Sequence, residues 1–412
     1  MLLQTLRIKI AKRLDEYVGR VLIALVRGLR LGKREENKPS AILRILVIKL
    51  WGMGSIILLE PALHRLRERY PRARLDFLTL TQNRELFALL PHVDHVHVLD
   101  FRHPVGFILH AFAVLVRLRR QRYDLIFDAE FFANFSALLA RLSAPQKLIG
   151  FSRPRGYKRG LLDIAVPFLD DEHATQNFLR LLSAESTAKP REAKTALSNL
   201  KRPRVLLRKH THEPRLERYL VMNVNASPLA LERRWPQENF VQLARWLLQQ
   251  YEVKLMLIGN SDESKYTQQI ADKIALPACV NNLAGALRLR ELADLINDTA
   301  LFISNDSGPL HLAAALQKPV VGFYGPETPE RFGPLCERHL IFYLGLSCSP
   351  CMSVDNAKTV NCTNHLRCMR ELRVLDVIPA LHRFITQHQL LPLRMLEAPA
   401  LRATQGVLHE AY

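Results

Sequence analysis

The sequence lacks what would place it in several other classes. Its 412 residues hold no apolar run approaching the roughly 20 needed to cross a bilayer. The best run near the N-terminus, Val21 to Val26, follows Asp15 and Glu16 and precedes Arg27 and Arg30. No small-residue cleavage site stands behind it, so it does not read as a signal peptide. The expected compartment is the cytoplasm, where thiols stay reduced. There is no Walker A pattern, no zinc finger, no RNP-type aromatic strand and no clear helix-turn-helix signal. Short-period repeats and long low-complexity tracts are also missing. Acidic residues are scarce, 39 against 58 Lys and Arg, which leaves a formal net charge of +19. Such a surplus favours anionic partners: phosphates, nucleic acid or acidic lipid. With no nucleic-acid motif to support it, nucleic acid is not the expected partner.

What is present fits a soluble globular enzyme, 48% apolar and 24% charged. The length implies two domains. Residues 1–40 form a segment apart. Leu3, Leu6, Ile10, Leu14, Tyr17, Val21 and Leu25 recur at steps of three and four, one stripe of a helix. Arg13, Arg20, Arg27 and Arg34 recur at steps of seven on another face. A basic amphipathic helix of this kind either lies in a lipid interface or packs its stripe on the body.

From residue 41 short apolar runs alternate with helical stretches, which implies a mostly parallel sheet covered on both faces. Strands are expected at 42–50, 75–80, 96–99, 125–127 and 148–151. Residues 186–218, rich in Lys, Arg, Pro and Thr, read as a linker. The alternation restarts with strands at 220–225, 253–258, 280–283, 300–303 and 320–324, and with a helix after Trp235-Pro236, where Pro suits the first turn. The organisation is therefore two doubly wound α/β domains facing a cleft, 41–185 and 219–385, with a tail at 386–412.

In open α/β sheets, ligands sit beyond the carboxyl ends of strands, and two loops stand there. After the first strand come Gly52, Met53, Gly54 and Ser55. The glycines permit positive φ or a close backbone approach. The third glycine of a dinucleotide fingerprint is missing, because position 57 is Ile57, so a dinucleotide site has only part of its pattern and the other reading is a tight strand-to-helix turn without a ligand. The second loop, Ser304-Asn305-Asp306-Ser307-Gly308-Pro309, leads into a helix carrying His311. Free amides at Ser307 and Gly308 and the helix dipole make a phosphate-binding end. Ser307 adds a hydroxyl, and Pro309 suits the helix start. Asp306 accepts from a sugar hydroxyl or caps the helix. His311, in the first turn, reaches a diphosphate.

The stretch NDSGPLHLAAALQKPVVGFYGPETPERFGP resembles the donor-site signature of glycosyltransferase family 9, the family of the bacterial lipopolysaccharide heptosyltransferases. ILVIKLWGMGSIILLEPALHRLRERYP and NASPLALERRWPQENFVQLA resemble its N-terminal and central signatures. The likeness runs from about residue 41 to about residue 385. It implies a GT-B fold, with an N-terminal acceptor domain and a C-terminal donor domain. It also implies inverting, metal-independent transfer, without a cofactor, from a nucleotide-sugar such as ADP-heptose to a lipid-linked glycan or lipopolysaccharide acceptor. Donor contacts carry over to Asp306, Ser307, Gly308, Pro309 and His311, to Arg233 or Arg234, and less closely to Glu263. Arginine suits a diphosphate because it stays charged and binds two oxygens at once.

One departure bears on catalysis. In the family's heptosyltransferases the glycine turn ends in an aspartate, the proposed general base; here that position is Ser55. Glu130 or Asp128, just after the strand at 125–127, then becomes the expected base. The alternatives are an acceptor hydroxyl that needs no strong base, and a non-catalytic nucleotide-sugar or glycan-binding protein. Cys348, Cys351, Cys362 and Cys368 lie within 21 positions and suit either a zinc site or reduced packing thiols with an occasional disulfide. A basic surface and the N-terminal helix imply peripheral contact with anionic membrane.

Overall fold

Ile45 to Ile48 are apolar and buried, as a strand covered on both faces of a parallel sheet must be. The first sheet grows outward from this strand. The computed structural model describes residues 15, 17–29, 31–32, 42–100, 104–131, 133–153, 156–185, 218–227, 230–353, 360 and 362–394. Helical residues 17–28 form α1. The first α/β half contains β1 (Arg44–Ile48), α2 (Met53–Arg69), β2 (Arg74–Leu80), β3 (His95–Leu99), α3 (Pro104–Gln121), β4 (Leu125–Asp128), α4 (Asn134–Leu142), β5 (Lys147–Ser152), β6 (Ile164–Pro167) and α5 (Ala174–Ser183). The second contains β7 (Tyr219–Asn223), α6 (Gln237–Gln250), β8 (Lys254–Leu257), α7 (Ser264–Ile274), β9 (Val280–Asn282), α8 (Leu289–Asp298), β10 (Leu301–Asn305), α9 (Gly308–Ala315), β11 (Val320–Phe323), β12 (His339–Phe342) and α10 (Val374–Gln387).

Each half builds one six-stranded sheet, β3-β2-β1-β4-β5-β6 and β12-β11-β10-β7-β8-β9, and each strand pair is parallel. Counted from its own first strand, the second sheet has the same order as the first. The order reverses between β1 and β4 in one half and between β7 and β10 in the other. At those points, where connections leave in opposite directions, a crevice opens beyond the strand ends. Both loops singled out in the sequence lie there.

The halves meet through helices. Ile56, Leu59 and Leu63 of α2 share one buried apolar cluster with Phe178 and Leu181 of α5 and with Leu310, Leu312 and Ala313 of α9. In the second half the fully buried Trp235 stacks on Phe323, ring centroids 4.2 Å apart, and its indole N–H donates to the Leu372 carbonyl at 2.7 Å. Pro236 is the N-cap of α6 and lies just before the helix rather than in its first turn.

Two strands were not expected, β6 and β12. Both are short edge strands with mixed burial, unlike the buried inner strands. The expected linker, apart from Arg218, lies outside the described residues, as do residues 395–412 of the tail and the stripe residues Leu3, Leu6, Ile10 and Leu14. Among the described residues no helix is long and apolar enough to cross a membrane. Helix α1 packs through Ile23 and Val26 onto Ala137, Leu138 and Leu161. The expected stripe is not the packed face, because Tyr17, Val21 and Leu25 point outward and are exposed.

Candidate functional site

The chain leaves β1 through Lys49, Leu50 and Trp51 and turns at Gly52, whose φ of +86° is a conformation that favours glycine. No side chain caps the start of α2. Gly54 serves a different purpose. A Cβ there would lie 2.5 Å from Cδ2 of His311, so its hydrogen admits the imidazole of the opposite half. A Cβ on Gly308 would likewise lie 2.6 Å from Cε of Met53. The two glycine-bearing helix starts, α2 and α9, therefore face each other across the crevice, and both present the positive end of a helix. Ser55 sits half-buried in the first turn of α2.

Beneath the first turn lies a sealed set of charges. Glu130 is fully buried; one carboxylate oxygen accepts from the Lys49 ammonium at 3.0 Å. The other accepts from the Leu50 and Trp51 amides at 2.6 and 2.8 Å. Lys49 also lies 4.6 Å from the centroid of the Phe131 ring. Asp128, equally buried, accepts from the Lys158 ammonium at 3.1 Å, and Lys158 donates as well to the Glu130 carbonyl at 2.5 Å. Burial pushes the Asp128 carboxyl above its usual range, against the pull of Lys158. Neither carboxylate opens onto the crevice. Glu130 instead holds the backbone that carries the glycine turn.

The second loop is more open chemically. Asn305 ends β10; its side chain accepts from the Trp235 amide at 2.9 Å and donates to the carbonyls of Val224 and Asn225 at 3.2 and 3.1 Å. Ser307, not Asp306, caps α9, accepting from the Leu310 amide at 3.4 Å. Its hydroxyl is 2.8 Å from that of Ser304 and 3.0 Å from the Asn223 amide nitrogen. Asp306 accepts from Arg233 at 2.9 Å, and its other oxygen lies 3.8 Å from Nε2 of His311. Nδ1 of His311 is buried and has no hydrogen-bond partner. An unpaired buried nitrogen is costly without a ligand to complete it.

Arg234 donates to Asn225 at 3.3 Å and lies over the Tyr266 ring, 4.2 Å from its centroid. Glu263 closes a capping box with Asn260, donating and accepting at 3.1 and 2.9 Å, and burial raises its carboxyl against the nearby Arg234. Thus Asp306, Ser307, Gly308, Pro309, His311, Arg233 and Arg234 gather at one strand edge, with Glu263 on the neighbouring loop. Sequence reasoning missed Lys49, Lys158, Asn223 and Asn225. Only the lysine inside the apolar run ILVIKL and the asparagines closing β7 could have signalled them.

The four clustered cysteines line one small cavity of about 70 Å³ with Pro326 and Arg367. They are free thiols, and burial pushes Cys368 up to about 11. Among the described residues no three His, Cys, Asp or Glu side chains are arranged to hold a metal ion.

Comparison with known proteins agrees with this arrangement. The model of glycosyltransferase family 9 (heptosyltransferase) matches residues 111–360. A lipooligosaccharide heptosyltransferase 2 of Haemophilus ducreyi is 27% identical over 316 residues, covering 73% of this chain and 89% of that protein. A lipopolysaccharide heptosyltransferase 2 of Escherichia coli is 26% identical over 314 residues, covering 73% and 88%. Among solved structures, the E. coli ADP-heptose lipopolysaccharide heptosyltransferase II superposes with a TM-score of 0.64 at 21% identity, covering 84% of this chain and all of that one. The fold is thus the GT-B arrangement of two facing doubly wound domains.

Proposed function

We propose, on the premise that the chain belongs to glycosyltransferase family 9, that it moves a heptose or related sugar from a nucleotide-diphosphate-sugar such as ADP-heptose to a lipopolysaccharide-type or other lipid-linked glycan. One observation carries this reading: His311, buried with an unpartnered Nδ1, stands where two helix starts face each other. A diphosphate placed there meets two positive helix ends, the imidazole and the arginines Arg233 and Arg234. Those groups take up the charge that develops as the bond from the sugar's anomeric carbon to phosphate breaks, so the transfer needs no metal. The acceptor hydroxyl attacks from the opposite face and inverts the configuration. Glu263 and Asp306 suit hydroxyls of the nucleoside and sugar.

The attacking hydroxyl loses a proton. Ser55 has no suitable pKa unaided, and Asp128 and Glu130 are each engaged by a lysine. In our reading both carboxylates, sealed beneath the glycine turn, position it, and the acceptor hydroxyl gives up its proton to solvent without a strong base from this chain. We place the enzyme on the cytoplasmic face of the inner membrane. Ser55 favours a second reading, a non-catalytic nucleotide-sugar or glycan-binding protein of the same fold. A panel of nucleotide-sugars against truncated lipopolysaccharide acceptors, scored by nucleoside diphosphate release, separates the two. Acceptor-dependent release supports the transferase; donor binding without release, across the panel, supports the binding protein.

A further inference from the structure

Helix α1 is fixed to the body by its narrow side. Asp15 places its carboxylate on the Asn134 and Phe135 amides at 2.8 and 2.7 Å, a cap on α4 supplied from outside that helix. Gly19 lies so close to Asn134 that a Cβ would stand 2.9 Å from the asparagine's own. With Ile23 and Val26 buried, the rest of α1 faces outward, and it is apolar. Tyr17, Val21, Leu25 and Leu29 are 54–66% exposed, with Val18, Leu22 and Leu31 beside them.

A water-facing helix should carry its charges on that side. This one carries Arg27 as its exposed charge among the described residues of α1, with Arg20 half-buried over the Tyr157 ring. The one described acidic side chain of the segment, Asp15, is turned inward to its cap. The start of α3 repeats the pattern: Ile108, Leu109 and Phe112 are 66–69% exposed, and Arg117, Arg119 and Arg120 are exposed farther along the helix. The two faces meet at the start of α4, where the Phe135 amide takes Asp15 and the Phe135 ring lies 5.2 Å from that of Phe107. Helix α3 leaves the carboxyl end of β3 and α4 that of β4, so this face borders the crevice that holds the glycine turn.

We infer that the outward face of α1 and the start of α3 form one docking surface for an anionic lipid bilayer, which brings the acceptor half of the crevice to the membrane. Apolar side chains flanked by arginines, with no exposed acidic side chain among the described residues of α1, fit the boundary between acyl chains and negatively charged headgroups. Each basic residue held near such a surface adds to the attraction, and salt screens it. The inference deepens the proposed function, resting on it only for the statement that the acceptor is lipid-linked.

The test is flotation of the full chain with vesicles of phosphatidylcholine, with and without phosphatidylglycerol, in the absence of any sugar donor. Wild type is expected to float with the anionic vesicles and to be released by raised salt. The double variants Val21→Glu/Leu25→Glu and Leu109→Glu/Phe112→Glu should each lose at least tenfold in vesicle affinity. Their melting temperatures should stay unchanged, because the substituted side chains are exposed. Turnover on a soluble truncated acceptor should also persist in them, while turnover on a vesicle-embedded acceptor falls. Wild-type protein that ignores anionic vesicles overturns the inference, whether or not it is an active transferase. So do variants that bind as wild type does, and so does a dimer that the same substitutions dissociate without any vesicle binding.

Discussion

The two halves share a strand order and differ in how their switch points are finished. In the second half the crevice is left chemically open: His311 keeps an unpartnered nitrogen, and Arg233 reaches Asp306 at its rim. In the first half the corresponding position is closed by two buried ion pairs, Lys49 with Glu130 and Lys158 with Asp128. The same topology thus yields a ligand-ready edge in one place and a rigid support in the other. The difference shows where binding energy goes. Under the proposed function, a donor carrying two phosphates would draw on the positive groups of the second half, and the turn that would present its backbone to an acceptor is held still by the first.

If the first half is a support, breaking it should cost stability before anything else. Glu130→Ala leaves the Lys49 ammonium buried and unpaired, and is expected to destabilise the fold by about 3–5 kcal/mol in urea unfolding. Adding Lys49→Met should recover much of that loss; full additivity of the two substitutions would show that the pair does not act as a unit.

A smaller effect is expected where the halves touch. His173 caps α5 through Nδ1, which accepts from the Thr175 amide, and its Nε2 lies 3.1 Å from the Gly333 carbonyl of the other half. Burial pushes it down to about 4. An unfolded histidine titrates near its ordinary 6.5, so between there and about 4 the unfolded chain binds a proton that the fold refuses. Stability from this group is therefore whole above about 6.5 and falls as pH drops toward 4, by up to about 3 kcal/mol. His173→Asn, which keeps a capping side chain without titrating, should flatten that part of the melting-temperature profile. An unchanged profile would place the acid sensitivity elsewhere.

Gly54→Ala pushes a methyl against His311 and should lower kcat/KM by about 10–100-fold through misplacement of the reacting groups. Gly28→Ala, which meets nothing within 4 Å, is the control expected to be neutral. Ser307→Ala removes the α9 cap and should cost about 1 kcal/mol of stability. Loss of far more would mean that the Ser304–Ser307–Asn223 network carries the loop.

The same contrast explains what the sequence disclosed. The second loop was legible because strand end, cap, proline and histidine occupy eight consecutive positions, Ser304 to His311. The support beneath the glycine turn was not, because Lys49 and Glu130 lie 81 positions apart and meet only once β1 and β4 pair. Glu130 and Asp128 were found by their place after a strand, yet position alone could not reveal that each is engaged by a lysine. Gly52 and Gly54 fulfilled the two separate uses of glycine, positive φ and close approach. The edge strands β6 and β12 escaped notice because runs of four residues, IAVP and HLIF, are too short for periodicity to separate strand from other structure. Helix α1 was legible as amphipathic, but periodicity states only that a face is apolar, not what covers it.

If the halves hold a donor diphosphate at His311, acceptor-dependent release of nucleoside diphosphate from ADP-heptose should differ sharply between the wild type and His311→Ala. Turnover is expected in the wild type, with a loss of about 100-fold or more in the variant, the scale seen when one preorganised group is removed from developing charge, and with an unchanged melting temperature. A variant that turns over as the wild type does, with its fold intact, would contradict that placement of the donor.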